Sequence, residues 1–204
     1  MDFGRMFMTP FSVLFAGLAL FRVNSLLESK GWLQLVTTLL VVSFYALMIW
    51  LYLRRIPPRR TSTELLPASV ALMGTFLPIF LPFAGVKVSE TQALVGNVVL
   101  ALGLSFSVWS LWCLKRSFSI LAQARELVRS GPYSRIRHPL YTGEIIAMLG
   151  LTITLGSPLA LGGWLLLVLA QSYRAFQEEK LLVEVFPEYR EYQAATSRVL
   201  PGLY

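Results

Sequence analysis

Arg137-His138-Pro139-Leu140-Tyr141 places the single histidine of the chain between a basic loop and a long apolar run, and Arg174 with Glu178 and Glu179 closes the far end of that run. A histidine, a phenol, an arginine and carboxylates at the two ends of one apolar hairpin can grip a small polar molecule, offset a cationic centre and orient a nucleophile. Glu144 lies one helical turn beyond Tyr141 and shares its face. An ionisable group at the mouth of an apolar segment is costly unless paired or solvated, which marks it as part of a site. Arg174 and Glu178 share a second face, with Glu179 about 100° round. The plainer alternative is an interfacial Arg174–Glu178 ion pair, with His138 bonded to a backbone carbonyl.

Other chemistries are poorly supplied. One histidine and one cysteine do not make an ordinary zinc site, so no metal is expected. The chain has no HExxH, no G-x-S-x-G, no phosphate-cradling glycine loop and no G-x-G-x-x-G, which excludes cofactor binding in the Rossmann manner. Cys113 stands alone on an apolar segment, so it forms no internal disulfide and reads as a core residue.

The elements that must position these groups follow from hydropathy. Only 14% of the 204 residues are charged, against roughly 25% in soluble domains. The deficit is concentrated: 31–53, 65–86, 91–114 and 145–173 carry no charge. Each reaches the roughly 20 residues that a helix needs to cross a bilayer core. This predicts an all-α, polytopic transmembrane bundle, a single domain over 1–204. Helices are expected near 7–26, 32–53, 65–84 and 91–114, the first of them retained rather than cleaved as a signal. Pro57-Pro58 ends the second. In the third, Pro67 suits the start, while Pro78 and Pro82 are expected to kink the outer half. Residues 115–140 read as a polar crossing segment. Gly156-Ser157-Pro158 then breaks 141–173 into a helical hairpin, whose first arm is short and opens at Pro139 and whose second runs on through Arg174 and Glu178.

The net charge of +7 is distributed as in membrane proteins rather than nucleic-acid binders. Arg54, Arg55, Arg59 and Arg60 fill one loop, and Lys115, Arg116, Arg125, Arg129, Arg135 and Arg137 another, whereas the opposite loops hold Lys30 and Lys87. The positive-inside rule then puts the basic loops and both termini in the cytoplasm, where anionic lipids are also favoured neighbours.

Two motif groups carry a resemblance. The first is Leu127-Val128-Arg129-Ser130-Gly131-Pro132-Tyr133 followed by Arg137-His138-Pro139-Leu140-Tyr141-Thr142-Gly143. The second is Arg174-Ala175-Phe176-Gln177-Glu178-Glu179, followed by Leu182, Phe186, Tyr189, Tyr192 and Arg198-Val199-Leu200-Pro201. Together they resemble the membrane methyltransferases typified by isoprenylcysteine carboxyl methyltransferase and the phospholipid N-methyltransferases, over residues 110–202. The chain departs from the pattern at Arg125, where prenylcysteine methylases typically have histidine, and at Pro187, where glycine is usual.

The resemblance implies a cytoplasmic-side pocket for S-adenosyl-L-methionine in the C-terminal half. Leu127, Val128, Tyr133, His138, Pro139, Leu140, Tyr141 and Glu178 would contact this cofactor, while Arg174 would face the substrate and act with Glu178 in catalysis. A carboxylate can pair with the cofactor amino group or offset its sulfonium, and aromatic rings favour cations. The expected reaction is methyl transfer to a lipophilic acceptor, foremost an isoprenylcysteine-type carboxylate held by Arg174. Phospholipid or other lipid-amine N-methylation is the alternative, and a small transporter or lipid-binding protein the rival from another class. Expected partners are membrane lipids and the lipid-like substrate, with no nucleic acid and no obligate protein.

Overall fold

The computed structural model describes residues 3–28, 31–61, 65–80, 85–120 and 123–199. Seven α-helices lie among them: α1 (Phe3–Glu28), α2 (Trp32–Arg54), α3 (Leu65–Phe80), α4 (Glu90–Leu114), α5 (Pro139–Leu155), α6 (Pro158–Val185) and α7 (Tyr189–Ala195). The only strands among the described residues are β1 (Arg60–Thr61) and β2 (Gln123–Ala124), an antiparallel pair joining the two basic segments. No Rossmann unit is present among these elements.

Three helices are long and apolar enough to cross a bilayer, α2, α4 and α6, and shorter apolar helices cover Met8–Phe21, Leu65–Thr75 and Pro139–Leu155. The chain is an integral membrane protein. The expected end of α3 at 84, with Pro82, lies outside the described residues, while Pro78 falls within α3.

The hairpin of α5 and α6 is shaped by its ends. Pro139 opens α5, where its missing N–H costs nothing. Gly156 closes it in the left-handed region at φ 64°, a conformation glycine adopts without strain. Ser157 then caps α6 by accepting from Ala160 N at 3.1 Å, and Pro158 takes the first helical position. With 17 residues, α5 spans about 26 Å, short of the ~30 Å core. With 28 residues, α6 reaches about 42 Å and extends well past it. Trp164 Nε1 donates to Ile145 O at 3.0 Å and ties the two arms together.

The helices pack in the order α1, α2, α4, α5, α6, α3, with α4 against α5 the most extensive contact. Glycines set that closeness. A Cβ on Gly103 would stand 2.2 Å from Ala147 N, and one on Gly150 would stand 2.2 Å from Leu100 N. Such small-residue seams let helix backbones approach where no hydrophobic effect drives them together. Leu51, Tyr52 and Leu111 are buried where α2 meets α4, and the Tyr52 hydroxyl accepts from Ile120 N at 3.3 Å, which fixes the start of the crossing segment.

The segment after α7 returns to the start of α5. Arg137 N donates to Ser197 O at 2.8 Å, His138 N to Arg198 O at 3.0 Å, and Ser197 N to Arg135 O at 3.1 Å. Thr142 Oγ1 adds a bond to Val199 O at 2.7 Å. This strap holds the first turn of α5 in place.

Candidate active site

The two polar clusters read from the sequence meet across the hairpin. The Tyr141 hydroxyl of α5 donates to Glu178 Oε1 of α6. The His138 ring stacks on Tyr141, with centroids 5.4 Å apart and planes within 3°. His138 Nδ1 stands 3.8 Å from Glu178 and its Nε2 3.2 Å from Glu179 Oε1.

Glu179 is the electrostatic hub. Its side chain is 4% exposed, yet it receives Arg137 Nε at 2.8 Å, Arg198 Nη2 at 2.8 Å, Gln193 Nε2 at 3.2 Å and the His138 ring. Arg137 reaches on to Gln193 O at 2.9 Å and to Thr196 O. A buried carboxylate so thoroughly matched by donors avoids the desolvation penalty that an unpaired one incurs. The hub locks α5, α6 and the strap together.

Arg174 is 6% exposed and does not form the simple ion pair with Glu178 that its spacing permits. Its Nη1 donates to Gln171 Oε1 at 2.9 Å, its Nη2 donates to Ile120 O at 2.9 Å, and the guanidinium lies 4.7 Å over the Tyr141 ring. Among the described residues its Nε has no hydrogen-bond partner. Gln171, itself buried, passes its Nε2 to Glu144 Oε2 at 2.5 Å. Arg174, Gln171 and Glu144 thus form a chain along the inner wall of the hairpin.

Arg137, His138, Tyr141, Glu144, Arg174 and Glu178 line one cavity of about 410 Å³, within the roughly 300–1,000 Å³ of small-molecule sites. Its lining is of two kinds. Leu127, Val128, Tyr133, His138, Tyr189 and Tyr192 come from the crossing segment and α7, and Phe11, Val41, Phe44, Met48, Leu100, Leu104, Met148, Leu151 and Leu167 are apolar residues of the longer helices. Tyr141, Glu144, Arg174 and Glu178 stand among the walls as well. Burial foremost, and then nearby Glu178, holds the Tyr133 phenol well above its ordinary value near 10, so it stays a hydrogen-bond donor at neutral pH.

Of the expected site residues, Leu127, Val128, Tyr133, His138, Leu140, Tyr141, Arg174 and Glu178 line this cavity. Pro139 does not: it is fully buried at the first turn of α5, where it shapes the backbone. Arg125, at the position of the expected histidine, also lines the cavity and donates from Nη2 to Gln123 Oε1 at 2.6 Å. Gln171 and the hub role of Glu179 were not read from the sequence. A signal for the first was present, since a glutamine one turn before Arg174 in an apolar helix shares its face. Nothing local could show that Glu179, rather than Glu178, gathers the cations, because its donors come from residues far along the chain.

Fold and site define a class: a helical membrane protein with a cavity lined by aromatic, charged and apolar side chains from the hairpin, the crossing segment and the other helices. Residues 91–189, from α4 to the start of α7, match the family described as Phospholipid methyltransferase. This match begins earlier than the expected 110–202 and takes in the whole of α4. The chain is also similar to the cobalt-zinc-cadmium resistance protein CzcN of Cupriavidus metallidurans, 38% identical over 108 residues that cover 50% of this chain and 47% of that protein. It is 35% identical over 105 residues to the nickel-cobalt-cadmium resistance protein NccN of Alcaligenes xylosoxydans xylosoxydans, covering 50% and 48% respectively. The chain therefore spans about half the length of the curated relatives it matches.

Proposed function

We propose that the protein is an S-adenosyl-L-methionine-dependent methyltransferase acting on a lipophilic acceptor at the cytoplasmic edge of the membrane. The observation that carries this reading is a single cavity in which the motif residues stand together with an extensive apolar lining. The residues present suit the cofactor. Glu178 offers a carboxylate, Tyr133 a hydroxyl donor, and His138 with Tyr141 a stacked aromatic pair. Such groups hold an amino-acid moiety and favour a neighbouring cation. Bound there, S-adenosyl-L-methionine supplies an electrophilic methyl group. The work of the protein is to align the acceptor and exclude water, which can account for a large part of such a rate enhancement.

The apolar lining suits an acyl or prenyl tail, and the head group would sit beside Arg174. A carboxylate acceptor of the isoprenylcysteine type fits an arginine at that point. A lipid-borne amine is the second reading, and it is favoured by the engagement of both Arg174 terminal nitrogens with Gln171 and Ile120. In either case the basic loops face the cytoplasm, the side from which a charged cofactor arrives, and the tail arrives from the lipid.

Calorimetric titration of S-adenosyl-L-methionine into the detergent-purified protein tests the reading, alongside Glu178→Ala and His138→Ala. Saturable binding by wild type, lost or strongly weakened in the variants, is the expected result. A well-folded wild type that binds no cofactor would overturn it.

A further inference from the structure

Glu179 decides which nitrogen of the single histidine carries a proton. Ionised by its contacts with Arg137 and Arg198, the carboxylate can only accept, so the His138 Nε2 that lies 3.2 Å from its Oε1 is an N–H donor. In the neutral ring the lone pair then belongs to Nδ1. Stacking on Tyr141, with planes within 3°, fixes the tilt of the imidazole, and although His138 stands at the N-cap of α5 its side chain makes no capping bond. Nδ1 is left on the side of Glu178, whose Oε2 lies 3.8 Å away. That is well beyond the roughly 2.7–2.9 Å of a charge-assisted hydrogen bond, so no proton is shared between them. The other oxygen of Glu178 already takes the Tyr141 hydroxyl. Nδ1 and Glu178 Oε2 are thus two neighbouring acceptors, and a nitrogen with two or more protons, about 2.9 Å from each, bridges such a gap.

Net charge does not bring such a donor here. Arg125, Arg137 and Arg174 line the cavity against Glu126, Glu144 and Glu178, and the two signs balance. Arg137 turns to Glu179, Arg174 to Gln171 and Ile120, and Arg125 donates to Gln123. Glu144 accepts from Gln171, and Glu126 is exposed. Placement rather than overall sign therefore sets what this corner holds.

We propose that Glu179 is a positioning residue: by holding the Nε2 proton of His138 it keeps Nδ1 an acceptor, and Nδ1 together with Glu178 Oε2 clips a primary ammonium. This rests on the methyl-transfer reading, in which that ammonium is the α-amino group of S-adenosyl-L-methionine. Glu179 acts at one remove, as the carboxylate behind the imidazole does in Ser-His-Asp triads, where exchanging it for an amide leaves the ring in the wrong tautomer. The same exchange has the same consequence here. In Glu179→Gln the amide oxygen goes to the arginines, the amide NH2 faces Nε2, and the ring proton moves to Nδ1, where it opposes an ammonium.

With only one histidine in the chain, ring-labelled histidine reports this imidazole alone, once the protein is purified through a histidine-free tag. Solid-state NMR of the lipid-reconstituted protein separates the two neutral tautomers. Wild type is expected to show the Nε2–H form. Its Nδ1 signal should move when S-adenosyl-L-homocysteine is added and stay in place with the des-amino analogue of that compound. By calorimetry wild type should bind the amino compound at least about tenfold more tightly than the des-amino one. Glu179→Gln should carry its ring proton on Nδ1 and lose that preference, while its affinity for the des-amino probe stays that of wild type, which separates the effect from a collapsed site. An Nδ1–H ring in wild type, or equal affinity of wild type for the two probes, would overturn the proposal. So would a Glu179→Gln variant that keeps either the Nε2–H tautomer or the preference. If the variant does not fold, the wild-type ring signals and the two probes decide alone. Folded wild type that binds neither probe would bring down the methyl-transfer reading and the clip with it, a result distinct from the others.

Discussion

Adjacent glutamates in α6 have opposite fates. Glu178 faces the cavity and takes a phenol, whereas Glu179 turns away into a cluster of arginines and a histidine. The difference follows from the 100° helical step, which puts neighbours on different walls. Glu179→Ala should therefore destabilise the fold by about 3–5 kcal/mol, since it strands Arg137 and His138 in a buried place. Thermal unfolding in detergent would show this as a lowered midpoint. Glu178→Gln should leave the midpoint close to that of wild type and weaken cofactor binding about 10–100-fold, the loss of one charge-assisted contact. At Arg174, lysine would not replace arginine, because a single ammonium cannot reproduce the planar fork that reaches both Gln171 and Ile120. Arg174→Lys is expected to lower kcat/KM at least about tenfold with cofactor affinity retained, as read by labelled methyl transfer.

The elements are held by close backbone approach and by well-formed ends. Gly103 lets α4 meet α5 so tightly that any side chain would strike Ala147. Gly103→Val should force the helices apart, costing about 1–3 kcal/mol or more, and lower the yield of monodisperse protein in size-exclusion chromatography. The milder Ser157→Ala removes the α6 cap and should cost about 1 kcal/mol, measurable as a smaller fall in the unfolding midpoint. Because Ser157 does not line the cavity, its loss should leave cofactor affinity intact. The short α5 is workable because its polar first turn is anchored by the strap rather than exposed to lipid.

For the whole molecule, the charge asymmetry makes a prediction about sidedness. Single cysteines at Ser130 and Lys87, both exposed, in a Cys113→Ala background should label from opposite faces of sealed, oriented vesicles. The expected result is that the 130 position reacts with an impermeant reagent from the cytoplasmic face and the 87 position from the other. Labelling of both from one face would overturn the sidedness expected from the charge asymmetry. Residues of α1 to α6 all contribute to the lining of the cavity, so its shape depends on the packing of the whole set.

Length and hydropathy were enough to place the four charge-free runs, the break at Gly156-Ser157-Pro158 and the basic loops. Bilayer thickness, proline chemistry and the cost of buried charge act locally, and a sequence displays them directly. The paired motifs likewise marked a part of the cavity wall and pointed to the family that residues 91–189 match. What the residues could not disclose was which partner each polar group would choose. Arg174 shares a helical face with Glu178 yet turns to Gln171 and Ile120, and Glu179 collects donors from the crossing segment and the strap. Pro139, within the motif, serves the backbone rather than the cavity. Those choices depend on residues brought together from distant parts of the chain, so only the packing of α4, α5, α6 and the strap decides them.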